Sequence, residues 1–365
     1  MRIQSVGLRK VSLPLKVPFV THQAELKERP LIIVEVKDEA DRIGYGEVTA
    51  FSDPFYTYET IDTAWHVLED FLIPSLLKNG AEHPADMAEQ AKKLQGHPMA
   101  KAGLEAALWD LYGKQVGKSL AELLGGTRSS VSAGAVISLG DSLEKDVSLL
   151  KEEGFQRYKL KVVKGREKEA IETIQEIDPH LPIMIDANGQ YHPEDLTHLR
   201  SLDVHGLTMI EQPFSAGDFY WHKRLQGEMK TPICLDESIM SFHDAVQAVE
   251  LGSCQIINIK ISRVGGLTAA KQIHDFCQSR GIPVWCGGMV ESGISKAHNL
   301  ALASLPNFTI PGDLSGSTRY FHKDLVYPEI VMRGGSIEVP KEAGMGMKVD
   351  KEYLEEVTLA SEMFS

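Results

Sequence analysis

Five charged residues recur through the middle of this 365-residue chain at nearly constant spacing: Lys161, Asp186, Glu211, Asp236 and Lys260, separated by 25, 25, 25 and 24 positions. Three carboxylates framed by two amines are the equipment for moving a proton beside an acidic group. Carboxylates drawn from separate segments, with neither Cys nor His among them, suit a hard cation. Mg²⁺ is the natural choice because it keeps coordination positions for substrate oxygens, and Mn²⁺ can substitute. Such an ion takes up negative charge on a substrate carboxylate when the adjacent carbon loses its proton. The amine that removes the proton must be neutral. Lys159, two positions before Lys161, should lower the Lys161 pKa by like-charge repulsion, as should the cation.

A single Asp or Glu at a strand end usually caps a helix or opens a loop. Three at constant spacing between lysines argue for one strand-and-helix unit per step, with each residue at the C-terminal mouth of a barrel. Short apolar runs sit where this requires them: Val131–Ser138, Arg157–Val163, Ile183–Asn188, Leu207–Gln212, Ile233–Glu237, Ile256–Ser262, Val284–Gly287 and Thr309–Gly312. Eight strands alternating with amphipathic stretches predict a (β/α) barrel over 126–318, with a doubly wound open sheet as the alternative. Strand parity agrees, because side chains two apart share a face. Lys159 falls with Lys161, Asp186 with Asn188, and Asn258 with Lys260 and Ser262, whereas Leu160, Val162, Ile257, Ile259 and Ile261 take the opposite face. Ahead of the barrel, 1–125 reads as a small α+β domain, with a strand at Leu31–Val36 and helical patterns at Ile61–Leu77 and Met99–Tyr112. Irregular segments there carry Pro18, Phe19 and His22, then Phe51, Pro54, Phe55 and Tyr56, and are candidates to cover the site. The segment 319–365 is long enough to return to that domain.

A net charge of −13 opposes nucleic acid or an anionic membrane as partner. No apolar run is long enough to span a bilayer and the opening residues lack a secretory pattern, so a cytoplasmic protein is expected. Cys234, Cys254, Cys277 and Cys286 fit neither a redox pair nor a zinc knuckle and read as buried thiols. Gly44-Tyr45-Gly46 lacks the context of a dinucleotide fingerprint. Gly265-Gly266 and Gly287-Gly288 read as tight turns, the latter able to bring backbone close to a ligand.

Lys159-Leu160-Lys161, Asp186-Ala187-Asn188, Glu211-Gln212-Pro213, Asp236-Glu237-Ser238 and Asn258-Ile259-Lys260 resemble, in order and spacing, the muconate-lactonizing branch of the enolase superfamily. Met99–Ala102, Ser262–Gly266 and Trp285–Gly293 look like the o-succinylbenzoate synthase / N-succinylamino acid racemase group of Gram-positive bacteria. This resemblance implies a (β/α)7β-type modified TIM barrel with an α+β N-terminal capping domain. It implies Mg²⁺ held by Asp186, Glu211 and Asp236, and Lys161 and Lys260 on opposite faces of a small carboxylate substrate. Lys159, Asn188, Glu237, Asn258, Met289 and Val290, with Phe19, Phe51 and Tyr56 of the cap, would support or bind that substrate. The implied reaction is dehydration of 2-succinyl-6-hydroxy-2,4-cyclohexadiene-1-carboxylate to 2-succinylbenzoate in menaquinone biosynthesis, with racemisation of N-succinylamino acids as the alternative. A homo-oligomer is expected. Asp313-Leu314-Ser315 lacks the Asp-x-Asp that dipeptide epimerases carry there. Arg263, three residues after Lys260, stands where it can tune that lysine or serve a structural role. The cap aromatics are expected to lie away from the proton-transfer groups and to act by excluding water.

Overall fold

Strands Ile3–Val20, Glu25–Asp38 and Ile43–Val48 form an antiparallel meander, and Thr358–Phe364 adds to the outer edge of the first. The segment after the barrel thus rejoins the cap. The computed structural model describes residues 1–20, 25–138 and 143–365, without the side chains of residues 19, 20, 25 and 138. His22 and the Phe19 side chain, both expected over the mouth, therefore lie outside the described residues. The run Leu31–Val36 is apolar at both parities, and both of its faces are covered. Ile32, Val34 and Val36 pack with the cap helices, while Leu31 and Ile33 join the core shared with the barrel.

The helix Pro98–Val116 packs across the third strand. Its first N–H groups would have no intrahelical acceptor. Pro98 fills the first turn, and the Glu59 carboxylate accepts from Met99 N and Ala100 N, both at 2.8 Å. Gly44 and Gly46 share the strand face beneath this helix. A Cβ there would stand 2.1 Å from the Ala107 carbonyl oxygen or 2.0 Å from that of Gly103. The pair exists for close helix–sheet approach.

Seven parallel strands follow in sequence order: Ala135–Ser138, Tyr158–Lys161, Ile183–Asp186, Ile210–Glu211, Ile233–Leu235, Ile256–Ile259 and Val284–Cys286. The eighth candidate, Thr309–Gly312, forms no regular strand. Phe308 bridges Val284 and Gly312 bridges Ala133. Gly134 N donates to Gly312 O at 2.7 Å, and Asp313 N to Cys286 O at 2.9 Å. One irregular segment thus joins both edges of the parallel sheet, and Pro311 within it has no N–H to extend a ladder. Leu160, Ile185, Ile210, Leu235, Ile257 and Ile259 pack in the main core. The opposite parity supplies a separate apolar cluster of Met184, Met209, Cys234, Ile256 and Trp285, the floor beneath the mouth. All four cysteines are free and buried. Among the described residues no helix is long and apolar enough to cross a membrane.

Candidate active site

The three carboxylates expected at the mouth each stand two positions beyond a floor residue, Asp186 after Met184, Glu211 after Met209 and Asp236 after Cys234, and Asn258 and Lys260 stand two and four beyond Ile256. Parity therefore carries them onto the same inner face. Register is less uniform than the even spacing suggests. Lys161, Asp186 and Glu211 are direct partners across adjacent strands, but Glu211 lies opposite Cys234, so Asp236 is two residues further along. Barrel strands tilt against the barrel axis, so residues at one height need not share a register, and an even step preserves the inward face.

One half of the mouth is organised by Lys159. Its Nζ lies 3.1 Å from both Asp186 Oδ2 and Glu211 Oε2, and 2.8 Å from Asp313 Oδ2. Burial pulls this lysine down, but Asp186, Asp313 and Glu211 outweigh it and hold it well above the ordinary value. It is a fixed positive charge. Glu211 is fully buried, and burial followed by the neighbouring Asp186 pushes its pKa up to about 8, against the pull of Lys159. Asn258 Nδ2 donates to Glu211 Oε1 at 2.9 Å. Lys161 is lowered, chiefly by burial, with Lys159 and Lys260 adding to that and Asp186 opposing it. Like-charge repulsion contributes as expected, but desolvation under the cap is the larger cause.

The other half is organised by Asp236. Lys260 Nζ donates to Asp236 Oδ2 and to Tyr56 Oη, each at 2.8 Å. Arg263 is wholly buried and bonds the second Asp236 oxygen. It also donates to Tyr56 Oη at 3.0 Å, Ile239 O at 2.8 Å and Asn258 O at 2.7 Å. Arg263 therefore belongs to the site. Burial is the largest single influence on Lys260 and lowers its pKa, but Asp236 and Tyr56 together outweigh it and leave it above the ordinary lysine value. Asp236, penalised by burial, is held below its usual value by Arg263 and Lys260.

Tyr56 corrects the expectation that the cap aromatics stand clear of the proton-transfer groups. The loop that bears it dips into the mouth because Phe51 anchors it in the cap core, with Phe51 and Phe55 ring centroids 4.7 Å apart. Phe51 is thus a buried anchor, packed in the same cluster as Met289. Val290 is buried in left-handed backbone, φ 56°. Asn188, φ 43°, donates through Nδ2 to Glu237 Oε1 at 3.1 Å. Gly287 has a specific task, because a Cβ there would lie 2.4 Å from Asn258 Oδ1 and 2.6 Å from Lys260 Cε. The close approach is to Lys260 itself. Asp313 was missed as a site residue. It pairs with both Lys159 and Arg157, and its place just after the eighth strand candidate is the signal that could have found it.

Among the described residues no three His, Cys, Asp or Glu side chains stand in the geometry of a metal cage. The carboxylate oxygens face Lys159, Lys260 and Arg263 instead. The donor set nonetheless fits a hard divalent ion. Asp186, Glu211 and Asp236 come from neighbouring strands, and both Asp186 and Asp236 raise the Glu211 pKa. The buried Asn258 Oδ1 and Glu237 Oε2 beside them have no hydrogen-bond partner. Converging negative charge with unsatisfied oxygens is what a cation relieves.

A capped parallel barrel with amines and carboxylates at its strand ends defines an acid–base enzyme of the enolase type. Residues 3–125 match the mandelate racemase / muconate lactonizing enzyme N-terminal domain, and residues 142–353 match the enolase C-terminal domain-like family. The chain belongs to the mandelate racemase / muconate lactonizing enzyme group of the enolase superfamily. It is 47% identical to o-succinylbenzoate synthase of Bacillus subtilis, covering 100% of this chain and 99% of that one. It is 40% identical to N-succinylamino acid racemase of an Amycolatopsis species, covering 99% and 98%. A solved enolase-superfamily protein of Listeria innocua superposes with TM-score 0.97 at 39% identity, covering 100% and 99%. A dipeptide epimerase of Cytophaga hutchinsonii, solved with Mg and D-Ala-L-Val, superposes with TM-score 0.91 at 26% identity, covering 100% of both.

Proposed function

We propose that this enzyme dehydrates 2-succinyl-6-hydroxy-2,4-cyclohexadiene-1-carboxylate to 2-succinylbenzoate, serving menaquinone biosynthesis. The observation that carries the reading is the full-length identity of 47% to the Bacillus subtilis synthase. Asp186, Glu211 and Asp236 would hold Mg²⁺, which when bound supplies positive charge to the substrate carboxylate as the α-proton leaves. Lys161, lowered by burial, takes that proton on Nζ. The electron pair left on carbon expels the β-hydroxyl, which departs as water with the proton that Lys161 returns. Lys260, held above the ordinary value by Asp236 and Tyr56, stays protonated and places positive charge beside the developing anion. Asn258 orients Glu211 through a 2.9 Å hydrogen bond. Ultraviolet detection of 2-succinylbenzoate with Mg²⁺, and its loss on chelation, is the test; a metal-replete enzyme that forms none would overturn the reading.

Racemisation of N-succinylamino acids is the second reading. It is favoured by two lysines at the ends of strands separated by the three whose ends carry the carboxylates and by 40% identity to the Amycolatopsis racemase. In that reaction one lysine removes the α-proton from one face and the other returns a proton to the opposite face.

A further inference from the structure

Arg29 lies on the second cap strand, wholly buried, and among the described residues no carboxylate pairs with it. A guanidinium has five N–H donors, and here all of them meet main-chain carbonyls. Nη1 donates to Pro30 O at 2.7 Å and Ala50 O at 2.8 Å. Nη2 donates to Thr49 O at 2.5 Å and Met289 O at 3.3 Å, and Nε to Val290 O at 3.3 Å. Burying a guanidinium with no carboxylate bonded to it is costly; Glu47 and Glu291 offset part of the cost through space, and the rest is offset only if the acceptors stay where they are. Arg29 therefore ties three segments together: its own strand, residues 49–50 at the root of the covering loop, and residues 289–290 of the barrel loop.

Both tethered loops lead to the same lysine. Arg29 stacks 4.2 Å over the Phe51 ring, whose centroid lies 6.4 Å from that of Tyr56, and Tyr56 Oη meets Lys260 Nζ at 2.8 Å. On the other side, Met289 and Val290 follow Gly287, whose α-carbon lies against the Lys260 side chain. Val290 sits in left-handed backbone, φ 56°, a strained conformation for a β-branched residue that persists only where its surroundings fix it.

We propose that Arg29 is a positioning residue that sets the place of Lys260 through the covering loop and the 287–290 loop, and so governs the balance between the two lysines in proton transfer. The part concerning proton transfer rests on the two-lysine reading above. Arg29→Met removes every donor, Arg29→Lys keeps the charge but not the fork, and Tyr56→Phe breaks one route without touching Arg29.

Two measurements test the idea. Amide hydrogen exchange, which needs no assumption about the reaction, should show faster exchange by roughly tenfold or more across 49–60 and 287–293 in Arg29→Met, and a smaller rise in Arg29→Lys. In deuterated water, with Mg²⁺, each enantiomer of N-succinylphenylalanine is then followed for loss of its α-proton. The enantiomer whose exchange disappears in Lys260→Ala should slow by roughly 10- to 100-fold relative to the other in Arg29→Met. Tyr56→Phe should shift the ratio the same way by less. Unchanged amide protection, or equal slowing of both enantiomers, overturns the proposal, because a merely structural role would not separate them. A wild-type enzyme that exchanges neither enantiomer sinks the two-lysine reading instead, and the amide measurement then decides whether Arg29 positions the loops. Arg29→Lys and Tyr56→Phe keep the test valid where Arg29→Met does not fold.

Discussion

The two halves of the barrel mouth treat Lys161 and Lys260 oppositely. Lys161 is lowered by burial, with two other lysines adding to the effect. Lys260 is buried too, but it is bonded to Asp236 and Tyr56, and together they carry it above the ordinary value. In the proposed chemistry the same side chain then serves as a base on one side and as a cation on the other. Pairs of titratable groups pushed apart in this way mark acid and base roles. The difference comes from carboxylate allocation, since Lys159 engages Asp186, Glu211 and Asp313, whereas Asp236 is left to Lys260 and Arg263.

Removing either lysine is the strongest way to break this comparison. Lys161→Ala should lower dehydration by roughly 10²- to 10⁴-fold, the usual worth of a positioned acid or base. Lys260→Ala should be severe but smaller, because it loses a stabilising charge and not the base. With N-succinylamino acids, each variant should exchange the α-proton of one enantiomer only. Equal exchange of both by either variant would show that the lysines do not face one another across the substrate.

Next come the carboxylates. Asp186→Asn, Glu211→Gln and Asp236→Asn should each weaken Mn²⁺ binding, measured by water-proton relaxation, by roughly 100-fold or more, beyond the loss typical of residues that only support a ligand. Wild-type binding and turnover in any of them would remove that residue from the cation site. Asp236→Asn should also lower the Lys260 pKa, an effect absent from Asp186→Asn, so the pair distinguishes the two halves.

The pH dependence sharpens the contrast at lower amplitude. Lys161 must be neutral to accept a proton, so kcat/KM should rise with pH through an apparent pKa below the ordinary 10.5. Lys260, shifted the other way, should not lose its proton in that window. A rate that falls across the same rise would reverse the assigned roles. The smallest effects belong to the supports. Gly287→Ala places a methyl group against Asn258 and Lys260 and should destabilise the fold by about 1–3 kcal/mol, seen as a lower denaturation midpoint. It should also impair exchange at the Lys260 face more than at the Lys161 face.

What could be read from sequence divides along the same line. The strand-borne residues were legible because one repeating unit and a period of two fix their place, and Lys161, Asp186 and Glu211 do lie in register. The shift at Asp236 was not, since strand tilt leaves no local signature. Thr309–Gly312 has the composition of a strand, but Pro311 limits it to bridges. Tyr56 was named, yet its meeting with Lys260 depends on how the cap sits on the barrel, which no spacing encodes. Arg29 gave no signal, because its partners are carbonyl groups that every residue carries.

The edge strand Thr358–Phe364, paired with Ile3–Val20 across nearly the whole length of the polypeptide, bears on how the molecule is made. During synthesis the cap sheet has only three of its four strands until the barrel has left the ribosome. Its open edge, from Val6 to Val11, is meanwhile a template for any passing strand. Contacts this distant in sequence close late and slowly. The vulnerable interval for aggregation therefore lies between formation of the three-stranded cap sheet and capture of Thr358–Phe364, and a chaperone that shields the first strand would act on that interval.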